Sequence, residues 1–236
     1  DFQTLAGWGM QEVPHKRYLN DFFTGKIAES VSRGELYNED PITGDARFCA
    51  TTASMCGIES AGFEQNEEKK KRAVRFDLML HAYMMVQSGI PMLYSGDEIG
   101  QVNDYTYKND PEKRVDSRYI HRGKFDWKLA DGRKRKGTVQ KELFDGIGKL
   151  RSIRSKEKVF VASANVWTLD TWENGILGVV RELEGEQMTA LFNFAEEDRT
   201  AWIEEEGEYM DLYTGKKVSL QAIKMEGHSF VLAKKC

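Results

Sequence analysis

The apolar residues of the chain follow two different spacings, one in each half. Up to about residue 135 they recur every three to four positions, which is the spacing of helices with one buried face. From about residue 158 they form short alternating runs, separated by turn sequences such as Asn174-Gly175. The pattern predicts a helical first half and a second half of antiparallel strands.

These spacings predict four helices and six strands. The helices are expected at residues 15–28, 47–58, 67–87 and 139–154. The strands are expected at residues 166–169, 176–181, 188–194, 199–203, 209–213 and 229–232. Asp45 is expected to cap the second helix, and Glu67 and Glu68 suit the positive end of the third.

One further strand is predicted between two glycines. Residues 90–94 (Ile-Pro-Met-Leu-Tyr) form a near-continuous apolar run between Gly89 and Gly96. Such a run is typical of a strand that is covered on both faces in a parallel sheet. A long polar loop follows, to about Asp126, and its length indicates a functional segment.

Composition excludes several classes of protein. The chain has 236 residues, is 40% hydrophobic and carries a net charge of −4. A charge balance of this kind argues against a dedicated nucleic-acid binder, and the apolar runs are too short to span a membrane. Three cysteines, Cys49, Cys56 and Cys236, are typical of a protein in a reducing compartment, so a cytoplasmic location is expected.

Two groups of side chains are candidates for chemistry. Asp97 and Glu98 directly follow the predicted parallel strand, where barrels carry their active sites; alternatively, they cap backbone amides. The long loop combines charged and aromatic residues that suit sugar recognition, although a solvated loop with surface ion pairs is the alternative. These residues are Asp104, Tyr105, Tyr107, Asp110, Arg114, Asp116, Arg118, Tyr119, His121 and Arg122.

Spacings typical of metal or phosphate sites are not found in the sequence. The four histidines are scattered, and no glycine-rich phosphate motif occurs. Cys49 and Cys56 are expected to share one packed helix face, because they are seven residues apart. No cofactor and no metal ion is therefore expected.

Residues 89–100 (Gly-Ile-Pro-Met-Leu-Tyr-Ser-Gly-Asp-Glu-Ile-Gly) resemble the segment around the eighth barrel strand of the α-amylase family of glycoside hydrolases. Residues 37–47 and 103–122 are similar to amylosucrase-like members of that family. The β-rich end resembles the family's antiparallel C-terminal domain. The resemblance implies that residues 1–157 are the C-terminal part of a (β/α)₈ barrel and that residues 158–236 form a β-sandwich domain.

The same resemblance implies a retaining mechanism on sucrose or α-glucan oligosaccharides, by glucosyl transfer or hydrolysis. Such enzymes use an aspartate nucleophile, a glutamate acid/base and a second aspartate. In the family these carboxylates lie on earlier strands, the last of them in a His-Asp pair that this sequence lacks. No catalytic residue is therefore assigned, and the chain alone is expected to be inactive without a missing N-terminal barrel portion.

Three residues are expected to bind substrate. By resemblance, Arg118 helps to close the sugar pocket by pairing with an aspartate of an earlier strand, and Arg47 contacts the oligosaccharide or acceptor. Asp104 is the third candidate. Gly123 stands where amylosucrase has proline, which favours a hydrolytic relative. The alternative function is a non-catalytic carbohydrate-binding or structural module.

Overall fold

The computed structural model describes residue 7 and residues 12–236, which form two compact units. The first contains the described residues up to Val74 together with Tyr94–Lys141. The second contains Arg75–Leu93 and Glu142–Cys236. These units do not follow the predicted division at residue 157. That division concerns a larger barrel and stays a prediction.

The first unit combines short helices with one small hairpin. Strands β1 (Glu35–Tyr37) and β2 (Arg47–Cys49) pair in antiparallel register. Three 3₁₀ turns, Asp97–Ile99, Tyr105–Asn109 and Ser117–His121, shape the long loop. The helices are α1 (Glu12–Phe23), α2 (Thr52–Met55), α3 (Ile58–Phe63), the first part of α4 (Glu67–Val86) and α5 (Trp127–Ala130).

The predicted helix at residues 47–58 is wrong. Its first three residues form β2, and helix α2 begins at Thr52, where the Thr51 side chain accepts the Ser54 amide. Gly57, at a φ of 97°, then separates α2 from α3 in a backbone conformation that favours glycine. Asp45 caps no helix and instead lies 3.2 Å from the Lys16 ammonium. Cys49 and Cys56 are both buried, but on different elements.

The predicted helices at residues 67–87 and 139–154 are confirmed as α4 and α6 (Val139–Lys156). Helix α4 begins where the Asn66 side chain accepts the Lys69 amide, and Glu67 and Glu68 follow in the first turn. No described helix has both the length and the apolar character that a membrane crossing needs.

The second unit is built on an antiparallel sheet, as the sequence predicted. Six strands pair in the order β3-β4-β5-β10-β7-β8, and β6 pairs with β9 in a separate two-stranded sheet. All of these pairings are antiparallel. The strands are β3 (Asn165–Leu169), β4 (Ile176–Leu183), β5 (Glu186–Asn193), β6 (Arg199–Ala201), β7 (Tyr209–Asp211), β8 (Lys216–Val218), β9 (Ile223–Met225) and β10 (Phe230–Lys235).

Two hydrophobic cores cover the two faces of the six-stranded sheet. On one face, Met79 of α4 and Leu150 of α6 pack with Phe192 of β5. On the other face, Leu191 of β5 packs with Ala201 of β6 and Met225 of β9. Alternate residues of β5 therefore serve different cores. Burial of a side chain such as Met79 stabilises the fold by about 1.5–3 kcal/mol.

Residues 90–94 do not form the predicted buried strand. They have no regular secondary structure, and Ile90 and Met92 are 87% and 77% exposed. A strand in a parallel sheet is held by hydrogen bonds to neighbours on both sides. None of the strands described here pairs with this segment, so its apolar side chains remain exposed.

Arg181 is buried in the second unit without a carboxylate among its hydrogen-bond partners. Its side chain is fully inaccessible, and its N–H groups donate to the carbonyl oxygens of Val159 (2.6 Å), Val86 (2.9 Å) and Val161 (3.2 Å). Burial lowers the pKa of this guanidinium. Arg181 thereby satisfies carbonyl groups at the end of α4 and in the segment that precedes β3.

Replacing Arg181 with Met is expected to destabilise the second unit by about 2–4 kcal/mol, because the buried carbonyl groups of Val159 and Val86 lose their donor. Urea unfolding followed by circular dichroism measures the change. Arg151→Met, at an exposed position of α6, makes the same change of side chain without this loss and is the control. Equal effects of the two substitutions would contradict the role given to Arg181.

Candidate functional site

Tyr37 brings together the two arginines that the sequence singled out. In the β1–β2 hairpin, Tyr37 lies directly opposite Arg47, so their side chains share one face of the hairpin. The Arg118 guanidinium lies over the Tyr37 ring, with Cζ 4.5 Å from the ring centre. The structure therefore places Arg47 and Arg118 beside one aromatic ring, a set of groups that can contact both the faces and the hydroxyls of a sugar.

Asp116 fixes the orientation of Arg118. Arg118 Nε donates to Asp116 Oδ1 at 2.9 Å, and Nη2 donates to Oδ2 at 2.8 Å. Asp116 also accepts the Arg118 amide and so caps the turn Ser117–His121. The Arg118 hydrogen bond holds the pKa of Asp116 at about 2. The expected pairing of Arg118 with an aspartate of an earlier strand stays a prediction.

Arg47 faces a cavity of about 520 Å³ between α1 and the hairpin. Asn20 and Phe23 line it from α1, and Lys16 lies at the same wall in an ion pair with Asp45. Arg47 is exposed, and within the described part of the chain its guanidinium has no hydrogen-bond or ion-pair partner. It is therefore free to donate to a ligand in this cavity.

Asp104 has a structural role in the long loop. Its Oδ1 accepts the amide and the hydroxyl of Thr106, at 2.9 and 2.6 Å, and caps the turn Tyr105–Asn109. Its own amide donates to the Ile120 carbonyl at 2.8 Å, so it lies close to the segment that carries Arg118. Asp104 thus positions the loop, and its role in substrate binding stays a prediction.

The space beside Asp104 accounts for the glycine at position 123. A β-carbon at Gly123 would lie 2.8 Å from Asp104 Cβ, which is closer than two carbon atoms approach without a shift of the loop. The two loop segments thus approach each other closely at the position where amylosucrase has proline, and this close approach favours glycine there.

Asp97 and Glu98 cap backbone amides. Asp97 Oδ2 accepts the Tyr94 amide at 3.1 Å, and Glu98 Oε2 accepts the Gly96 amide at 2.9 Å. The capping alternative is confirmed, and both carboxylates serve to shape the turn Asp97–Ile99.

Two tyrosines, the buried Tyr107 and the partly exposed Tyr105, hold the long loop against the rest of the first unit. Tyr107 donates its hydroxyl proton to Glu35, and Tyr105 donates to Glu59 at 2.7 Å. Burial raises the pKa of Tyr105 to about 12 and that of Tyr107 further, so both hydroxyls remain protonated donors. Tyr107 also packs with Cys49 beneath the loop.

Tyr37 is the site residue that the sequence interpretation missed. It occurs in a strand of only three residues, too short for an alternating pattern to be recognised. The sequence did contain one signal for this hairpin: Tyr37 and Arg47 lie on either side of the turn sequence Thr43-Gly44.

Replacing Arg118 with Gln is expected to raise the pKa of Asp116 from about 2 toward its ordinary value of 3.8. Because the folded-state pKa is depressed, the pair stabilises the loop above about pH 4, and this contribution is lost as the pH falls toward 2. Carbon-13 NMR titration of the carboxylate measures the midpoint. Arg114→Gln should leave it unchanged, and an unaltered midpoint in Arg118→Gln would rule out the pairing in solution.

Comparison with known proteins gives a likeness of fold. No protein-family model matches the chain. A solved structure of an AmyP variant in complex with maltotriose overlays on 70% of this chain and 35% of its own length, with a TM-score of 0.56 and 14% identity. The trehalulose synthase MutB from Pseudomonas mesoacidophila overlays on 68% of this chain and 38% of its own, with a TM-score of 0.51 and 15% identity.

An Anoxybacillus α-amylase overlays on 70% of this chain and 32% of its own length, with a TM-score of 0.48 and 22% identity. The structural neighbours are α-amylase-family glycoside hydrolases. The chain spans less than two fifths of the length of each of these three proteins. At these identities the likeness to the AmyP variant and to MutB, whose TM-scores exceed 0.5, shows that the chain shares a fold with part of each of these two proteins.

Proposed function

We propose that this chain is the C-terminal part of an α-amylase-family enzyme that acts on sucrose or α-glucan oligosaccharides. The observation that carries the proposal is the shared fold with the AmyP variant, which was solved with maltotriose bound. In this proposal the reacting carboxylates belong to a preceding barrel portion. The chain supplies substrate contacts and is inactive alone, and the amylosucrase-like segments favour glucosyl transfer or hydrolysis of sucrose.

The geometry around Tyr37 supports a role in substrate binding. Arg118 is held in one orientation by Asp116 and by the Tyr37 ring, so it has little conformational freedom to lose when a sugar binds. Arg47, beside the same ring, has a cavity of about 520 Å³ before it. A fixed arginine and an available one beside an aromatic face suit an oligosaccharide.

The exposure of residues 90–94 supports the proposal that this chain is part of a larger barrel. Its apolar side chains would be covered if the segment were one strand of a larger parallel sheet. The caps made by Asp97 and Glu98 directly follow this segment and turn the chain into the long loop. In a barrel, the loop after a strand's carboxyl end faces the active site, which gives the long loop its proposed position.

The proposal is tested with a longer polypeptide that also contains the residues encoded upstream of Asp1. That polypeptide and this chain alone are assayed with sucrose and with maltooligosaccharides, and free glucose, fructose and polymer are followed. The longer polypeptide is expected to turn over one of these substrates, and this chain to turn over neither. Replacing Arg118 with Gln in the longer polypeptide should lower kcat/KM by about tenfold to hundredfold, since a charge-assisted contact is lost.

Arg114→Gln in the longer polypeptide is the matched control and should retain full activity. Arg114 is exposed, does not line the cavity before Arg47, and is not the arginine that lies over the Tyr37 ring. Turnover by this chain alone would contradict the proposal. A longer polypeptide that binds maltooligosaccharides without turnover would instead favour the non-catalytic carbohydrate-binding module.

A further inference from the structure

The first unit contains a second cavity, of about 540 Å³, that shares no lining residue with the cavity before Arg47. It lies within the long loop. Tyr119, Arg122 and Lys124 contribute to its wall after the turn Ser117–His121 begins, and Lys113 contributes from the preceding segment. The function proposed above gives this cavity no role.

The acidic side chains in the cavity wall are already engaged. Asp110 lies 2.9 Å from the Lys113 ammonium and accepts the Glu112 amide at 3.0 Å. The Lys113 hydrogen bond lowers the pKa of Asp110, so this carboxylate stays ionised and offsets that ammonium. Asp104 accepts both polar hydrogens of Thr106.

Two cations in the wall lack such a partner. Arg122 packs its guanidinium on the Tyr119 ring, with Cζ 5.6 Å from the ring centre. Within the described ranges, neither Arg122 nor Lys124 has an ion pair with a carboxylate, and both are exposed. Their N–H groups are therefore available to a negatively charged ligand.

The surrounding segment is strongly basic in an acidic protein. Residues 108–136 contain eleven Lys and Arg against five Asp and Glu, a local charge of +6 in a chain whose net charge is −4. The potential of such a segment attracts anions toward the cavity, and the attraction weakens as salt is added.

We propose that this cavity binds a phosphoryl group, either as free phosphate or as the monoester of a sugar. Arg122 presents the planar pair of donors that matches phosphate oxygens, and Lys124 adds a point charge. The Lys113 ammonium and the Arg122 guanidinium both lie over the Tyr119 ring, at 5.9 and 5.6 Å from its centre, so the ring holds these cations at the cavity wall. The inference is independent of the proposed enzymatic function.

The test is a titration of the folded chain with inorganic phosphate, glucose 1-phosphate and glucose, followed by the NMR signal of the Gly123 amide in the cavity wall. Phosphate and the monoester are expected to saturate the signal change at about 1 mM, the affinity of a few charge-assisted contacts, and glucose is not. Tighter binding of the monoester identifies the sugar phosphate as the source, and equal binding identifies free phosphate.

Arg122→Gln is expected to weaken phosphate binding about tenfold, because a charge-assisted contact is lost. Lys124→Gln is the second variant and should weaken it in the same direction. Arg114→Gln removes an equal charge from the same loop but lies outside the cavity, and should change the affinity little.

Three results would overturn the proposal. They are the absence of saturable phosphate binding, an equal loss of affinity in Arg114→Gln and Arg122→Gln, and binding of glucose as tight as that of its phosphate. A fourth result would replace the proposal with a nucleic-acid site in the basic segment. In that case a single-stranded oligonucleotide binds more tightly than either phosphate, and Arg122→Gln and Arg114→Gln both abolish its binding.

Discussion

Two guanidinium groups fix the end of helix α4 and the direction in which the chain leaves it. Arg154 donates to the carbonyl oxygens of Met85, Gln87 and Gly89, and Arg181 donates to that of Val86. A helix end leaves its last carbonyl groups without intrahelical donors, and here arginine side chains supply them. The helix that covers one face of the sheet, and the segment that follows it, both depend on these bonds.

That dependence explains why an apolar segment is held in an exposed position. Side chains such as Ile90 and Met92 would gain free energy from burial, yet the bonds to Gln87 and Gly89 direct the chain away from the core of the second unit. An exposed apolar segment with no strand partner in the described chain is typical of a surface that further structure covers. In the proposed barrel, neighbouring strands would cover it.

The sequence predicted the elements whose stability is local or whose pattern is long. Helix α4 has a cap, an acidic first turn and a long apolar stretch from Ala73 to Val86, and β4 and β5 each contain an apolar run within a strand of eight residues. The predictions were wrong where the conformation of a segment depends on pairing with a distant part of the chain. Residues 47–49 form a strand because β1 lies beside them, and residues 90–94 form none because no described strand does. In the candidate site, the family resemblance singled out Arg47 and Arg118, and their role in binding stays a prediction. That both lie beside the Tyr37 ring depends on the hairpin register and on the contact with Arg118, which the sequence pattern does not give.

Hydrogen–deuterium exchange at the backbone amides of Ile90, Met92 and Leu93 tests the central claim most directly, because Pro91 has no N–H and the Tyr94 amide already donates to Asp97. The amides are measured in this chain and in a polypeptide that also contains the proposed preceding barrel portion, with the amides of β5 as an internal reference. The account predicts rapid exchange in this chain and strong protection in the longer polypeptide, while β5 remains protected in both. Equal, rapid exchange in the two polypeptides would show that residues 90–94 are no barrel strand and would contradict the account.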